Sequence, residues 1–135
     1  MRKINKIIIH CSATKEGVNI SASTIDNWHK DRGWSGIGYH YVVSLNGNIE
    51  YGRPIHIQGA HTKNYNKNSI GVCYIGGLDD FLNPKDTRTQ EQKESLLDLI
   101  KTLKRLNPNA TVHGHNEFSS KACPCYDVKE EYCCI

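Results

Sequence analysis

The sequence predicts an α/β (α+β) fold, a central mixed β-sheet flanked by two or three helices, in a single domain over residues 1–135. Three observations predict it. Two apolar runs, Lys6 to Cys11 and Ser69 to Ile75, have the length and β-branched content of buried strands. Asn46-Gly47 stands between two β-branched and aromatic runs, which is the strongest short-range hairpin signal. From Thr89 to Leu106, leucine and isoleucine recur at helical spacing between a start signal and a stop signal.

The elements follow in chain order. The run Ile7-Ile8-Ile9 ends at His10, so an imidazole sits at the end of the first strand. Ser21-Ala22-Ser23-Thr24 supplies helix N-caps; Ile25, Trp28 and His29 then recur on one face, and Gly33 ends that helix. Trp28 and His29 read as packing residues. Gly38 to Leu45 and Asn48 to Tyr51 form the two arms of the hairpin. The strand from Ser69 is closed by Gly76-Gly77. Thr89 and Gln92 make a capping box, Leu96, Leu99, Ile100, Leu103 and Leu106 share a face, and Asn107-Pro108 stops the helix. Ala110 to His113 is a short strand, and Asp127 to Cys134 a last short helix.

A chain of 135 residues can bury one real core. Its 38% apolar and 23% charged residues describe an ordinary globular protein. The net charge of +3 comes from scattered, mixed-sign residues, which argues against a nucleic-acid partner. No stretch approaches the roughly 20 apolar residues of a membrane span. The basic N-terminus is followed by only three isoleucines, short of the roughly 7–15 apolar residues of a secretory signal. With no visible signal peptide the chain is expected to be made in the cytoplasm, and action at the cell wall would need another delivery route. In that compartment the six cysteines, Cys11, Cys73, Cys123, Cys125, Cys133 and Cys134, are expected as free thiols, with one serving as a metal ligand.

Chemistry concentrates in His113-Gly114-His115-Asn116-Glu117-Phe118-Ser119-Ser120-Lys121-Ala122-Cys123-Pro124. Neutral imidazole and thiolate are the ligands zinc prefers, and a catalytic zinc uses three of them plus water. His10, a histidine of this segment and Cys123 supply such a set. Spacing does not choose between His113 and His115, which are two apart and share a face if the strand continues. Glu117 is suited to hold the second ring nitrogen of either, or to form a loop salt bridge. A competing chemistry is a Cys123 nucleophile with His10 or His115 as its base. His40 alternates with Tyr39 and is expected to be structural, and His56 a surface residue.

Several blocks, in order, resemble the N-acetylmuramoyl-L-alanine amidase family, which includes small phage endolysins and the peptidoglycan recognition proteins. They are Ile7 to Thr14, Trp28 to Trp34, Ile37 to Val43, Gly59 to Lys63, Asn68 to Gly77, and Gly114-His115 with Cys123-Pro124. Lys121, two residues before Cys123, makes the single-domain phage endolysins the nearest likeness. The resemblance implies a mixed sheet bearing a zinc groove, with one Zn²⁺ held by His10, His115 and Cys123. It implies catalytic roles for Tyr39 and Lys121, with Lys121 stabilising the oxyanion, and a substrate-binding role for His61. The implied reaction is cleavage of the amide between N-acetylmuramic acid and L-alanine in peptidoglycan or muropeptides; the sequence does not fix the oligomeric state, and a monomer is the expectation. The alternative in another class is a peptidoglycan-binding or regulatory module with a structural metal. One departure is Asn64, where the family commonly has glycine.

Overall fold

The computed structural model describes residues 2–135. Seven strands form: β1 (Lys6–Cys11), β2 (Thr14–Lys15), β3 (Tyr41–Val43), β4 (Ile49–Tyr51), β5 (Ser69–Tyr74), β6 (Gly77–Leu78) and β7 (Thr111–Gly114). Three α-helices accompany them: α1 (Ala22–Asp31), α2 (Gln90–Leu106) and α3 (Val128–Glu131). The main sheet has five strands in the order β4-β3-β5-β1-β7. The pairs β3·β5, β5·β1 and β1·β7 are parallel, and only the β3·β4 hairpin is antiparallel. The central strands β1 and β5 are therefore covered on both faces, which is why they read as unbroken apolar runs. A small parallel ladder joins β2 and β6, and its two residues a side leave no periodicity to detect in the sequence.

Alternation along the strands sorts the side chains into two layers. Ile7 and Ile9 of β1, Val43 of β3, and Ile70, Val72 and Tyr74 of β5 face α2 and α3. There they meet Leu96, Leu99, Ile100 and Leu103 of α2 and Val128 of α3, all buried. Each fully buried aliphatic side chain contributes about 1.5–3 kcal/mol relative to exposure, before ordering entropy is counted. The opposite face carries a smaller cluster, Ala22 and Ile25 of α1 with Ile37, Val42 and Ile75. His10 points to that second side.

The helix signals hold. Ser21 caps α1 by accepting from Thr24 N, and Thr89 and Gln92 close a reciprocal capping box on α2. Asn107 is the C-cap before Pro108. Gly47 adopts φ +88°, the left-handed conformation that the hairpin turn requires. The hairpin arms are shorter than the sequence suggests. Before Tyr41, single backbone bonds from Gly52 N to His40 O (2.9 Å) and from Arg53 N to Tyr39 O (2.8 Å) carry the arm on, and the His40 ring accepts from Gly71 N of β5 at Nδ1 (3.0 Å). The last helix is also shorter than Asp127 to Cys134. It ends at Glu131, and Tyr132 turns inward to meet the Tyr126 hydroxyl at 2.8 Å. All six cysteines are free, as expected.

Candidate active site

The site lies where the ends of β1 and β7 meet the segment that follows them. His10, one residue before the end of β1, is buried beneath this surface. β7 stops at Gly114, and a 3-10 turn, His115–Glu117, begins at once. Glu117 closes that turn: one carboxylate oxygen accepts from Gly114 N at 2.7 Å and the other pairs with His113 Nδ1 at 2.9 Å. The turn removes His115 from the strand, so it does not share a face with His113. His115 instead swings over His10, ring centroids 4.6 Å apart, while His113 stays with Glu117 and Thr111. Glu117 is thus a turn-forming salt-bridge partner.

Cys123 reaches the same place from the loop beyond. Its sulfur accepts the backbone amide of Cys11 at 3.2 Å and lies 3.9 Å from His10 Nδ1. Behind it, the Tyr74 hydroxyl donates to Pro124 O at 2.7 Å and anchors the loop to the apolar layer. One donor atom from each of His10, His115 and Cys123 lies within 4.8 Å of the others. Zinc bonds of about 2.0–2.1 Å to nitrogen and about 2.3 Å to sulfur set tetrahedral donors about 3.4–3.7 Å apart, so this trio fits a zinc-sized ion with small adjustments. Burial, reinforced by His61, His115 and Lys121, holds the His10 imidazole well below its ordinary pKa. His115 is lowered by burial and then by Lys121. Both rings are therefore kept in the neutral, ligating form.

A groove of about 170 Å³ opens beside the trio, with His115, Cys123, Tyr39 and Lys121 in its wall. Tyr39 is half-buried, its ring 5.1 Å from that of His10. Burial, then the nearby thiols of Cys73, Cys123 and Cys11, push its phenol well above the ordinary value, so it remains an O–H donor. His29 fixes this region from below by accepting Gly38 N at Nδ1, 2.9 Å. Trp28 departs from the packing role: 40% exposed, it forms part of the groove wall together with Arg32, which the sequence did not single out. Among the described residues lining the groove there is no carboxylate, and Arg32 and Lys121 make it cationic.

His61 lies behind His10, its Nδ1 at 2.9 Å from His10 Nε2, and is not among the side chains that line the groove. His40 is buried and structural, with Nε2 2.8 Å from Ile57 O. His56 is exposed. Asn64 adopts φ +74°, so the loop keeps a glycine-like conformation at the position where the sequence departs from glycine.

A family model described as N-acetylmuramoyl-L-alanine amidase matches residues 1–126. The chain belongs to this amidase family. The endolysin of Escherichia phage T7 is 42% identical over 123 residues, covering 91% of this chain and 82% of that protein. Peptidoglycan-recognition protein SC1a of Drosophila melanogaster is 31% identical over 124 residues, covering 87% of this chain and 65% of that one. Among solved structures, the N-acetylmuramoyl-L-alanine amidase LysC of Clostridium intestinale superposes with a TM-score of 0.81 at 28% identity, over 96% of this chain and 82% of that one. The amidase family thus joins lytic enzymes and recognition proteins on one fold. No described helix is long and apolar enough to cross a membrane.

Proposed function

We propose that this protein is a zinc hydrolase that cleaves the amide between N-acetylmuramic acid and L-alanine in peptidoglycan, as an endolysin-type lytic enzyme acting on the cell wall. The observation that carries this reading is the convergence of His10, His115 and Cys123 within 4.8 Å, with His115 and Cys123 in the wall of a groove that also holds Tyr39 and Lys121 and His10 buried directly behind it. Amidase-family membership and relatives named as endolysins support the same substrate.

An unactivated amide demands a strong nucleophile, a polarised carbonyl and a protonated leaving amine. The two imidazoles and the thiolate would hold a zinc ion, which would supply a Lewis acid and activate water near neutral pH. Tyr39, kept protonated by burial, presents its O–H to the charge that develops on the carbonyl oxygen or to the attacking water. Lys121 places a cation beside the same oxygen. With no carboxylate in the described lining, a general base of that type is not offered by the groove wall.

The deciding experiment is digestion of purified peptidoglycan, with new L-alanine amino termini measured by amine labelling and mass spectrometry. Chelation should abolish release, added Zn²⁺ should restore it, and Cys123→Ser should lose both bound metal and activity. Undiminished activity in metal-stripped protein would instead favour the Cys123–His10 dyad. Zinc binding and wall binding without amine release would leave a recognition module.

A further inference from the structure

His61, half-buried, is a titratable group in contact with the proposed metal site that the reaction above does not use. Its ring contacts are unusually complete for a loop residue. Nδ1 lies 2.9 Å from His10 Nε2 and 2.9 Å from Thr62 Oγ1, and Nε2 lies 3.3 Å from Ser69 Oγ. Thr62 Oγ1 is also 3.2 Å from His10 Nε2. The ring occupies a slot that two glycines keep open. A Cβ added at Gly71 or at Gly59 would come within 2.6 Å of His61 Cδ2. The His40 ring closes the slot edge-on, centroids 5.9 Å apart.

We infer that His61 is a positioning residue for the metal centre: its Nδ1 accepts the Nε2 proton of His10, directly or through the Thr62 hydroxyl, and so fixes the tautomer in which His10 Nδ1 faces Cys123 and the ion. This inference rests on the zinc reading above. The direction of the bond follows from the ligand side. His10 presents Nδ1 to Cys123, so Nδ1 must be bare to ligate, and Nε2 must carry the hydrogen. His61 then accepts at Nδ1, carries its own hydrogen on Nε2 and donates it to Ser69 Oγ. A metal-bound histidine usually donates to a carboxylate or a backbone carbonyl. Here the acceptor is a neutral ring, which orients His10 without adding negative charge behind it. The bare Nδ1 and the two glycines that make room for the ring serve one arrangement.

Asn and Gln replace different ring nitrogens of histidine, and the test uses that difference. The amide of His61→Asn can place an acceptor near the Nδ1 position, whereas that of His61→Gln reaches toward Nε2. In the purified full-length protein, zinc affinity is measured by competition with a chromogenic chelator, and melting of the metal-free form is followed in parallel. His61→Gln should weaken zinc binding by about 10–100-fold, and His61→Asn should stay within a few-fold of wild type, with the two metal-free forms melting alike. Gly71→Ala, which leaves His61 in the chain but presses a methyl against its ring, should weaken binding in the same direction and serves if His61→Gln does not fold. Equal zinc affinity in wild type and His61→Gln overturns the inference, as does equal weakening in both amide variants. A wild-type protein that takes up no zinc overturns the metal reading itself, and that arm is read separately.

Discussion

The two faces of the β-sheet are built from the same strands but under opposite rules. Toward α2 and α3, β1 presents Ile7 and Ile9 to Leu96, Leu99, Ile100 and Leu103, with almost no polar atoms. Toward the groove the same strand presents His10, and around it gather His61, His115, Tyr39, Lys121 and Cys123. The first face is held by area removed from water, which tolerates no gap but asks little of angles. On the second, beside the smaller apolar cluster of α1, the surroundings of His10 are held by a few directed contacts among groups that would each prefer water if left alone. Stability and chemistry are thereby separated by the thickness of one strand.

That separation can be broken experimentally, and the largest effect should come from the apolar side. Ile100→Ala, at a fully buried position, should cost about 2–5 kcal/mol in denaturant unfolding while leaving the turnover of the still-folded fraction near wild type. A large loss of turnover per folded molecule would show that the two faces are coupled. On the groove side the reverse is expected. Tyr39→Phe and Lys121→Ala should each lower turnover on peptidoglycan by on the order of 10²–10³, with unfolding midpoints close to wild type. Near-normal rates in both variants would remove these residues from the reaction.

His40 sharpens the boundary, because it sits beside the site yet serves the backbone. Burial, with Arg2 and Arg53 nearby, pushes its pKa down to about 4 from an ordinary 6.5. Between those values the unfolded chain binds more protons than the folded one. The contribution is therefore complete above pH 6.5, declines as pH falls toward 4 and is level below. Urea unfolding of metal-free protein should show a loss of up to about 3 kcal/mol from this group across that window. In His40→Gln, less stable at neutral pH, the same titration should be flatter.

Legibility in the sequence divides along the same line. The apolar face was readable because its signals are local and periodic. Thr89, Gln92 and Pro108 bracket α2, and the isoleucines of β1 announce a covered strand. The groove was readable only as residue types. His10, His115 and Cys123 come from far apart in the chain, and no spacing rule states that they meet; the family resemblance supplied the choice of His115. Alternation alone would have kept His113 and His115 together, because it assumes that the strand continues past Gly114. The Glu117 carboxylate on Gly114 N is what ends it. No local signal marks the slot that Gly59 and Gly71 open for His61 behind His10. Trp28 was assigned to packing because helical spacing marks a face, not how completely that face is covered.

The strand order carries one further consequence. β1 is sandwiched between β5 and β7, pairing Lys6 with Ser69 on one edge and with Thr111 on the other. During translation it leaves the ribosome long before either neighbour has been synthesised, so an isoleucine-rich segment waits without a mate while most of the polypeptide is assembled. Such a stretch is prone to self-association. The cluster of His10, His115 and Cys123 is likewise completed late, because Cys123 follows both histidines in the chain.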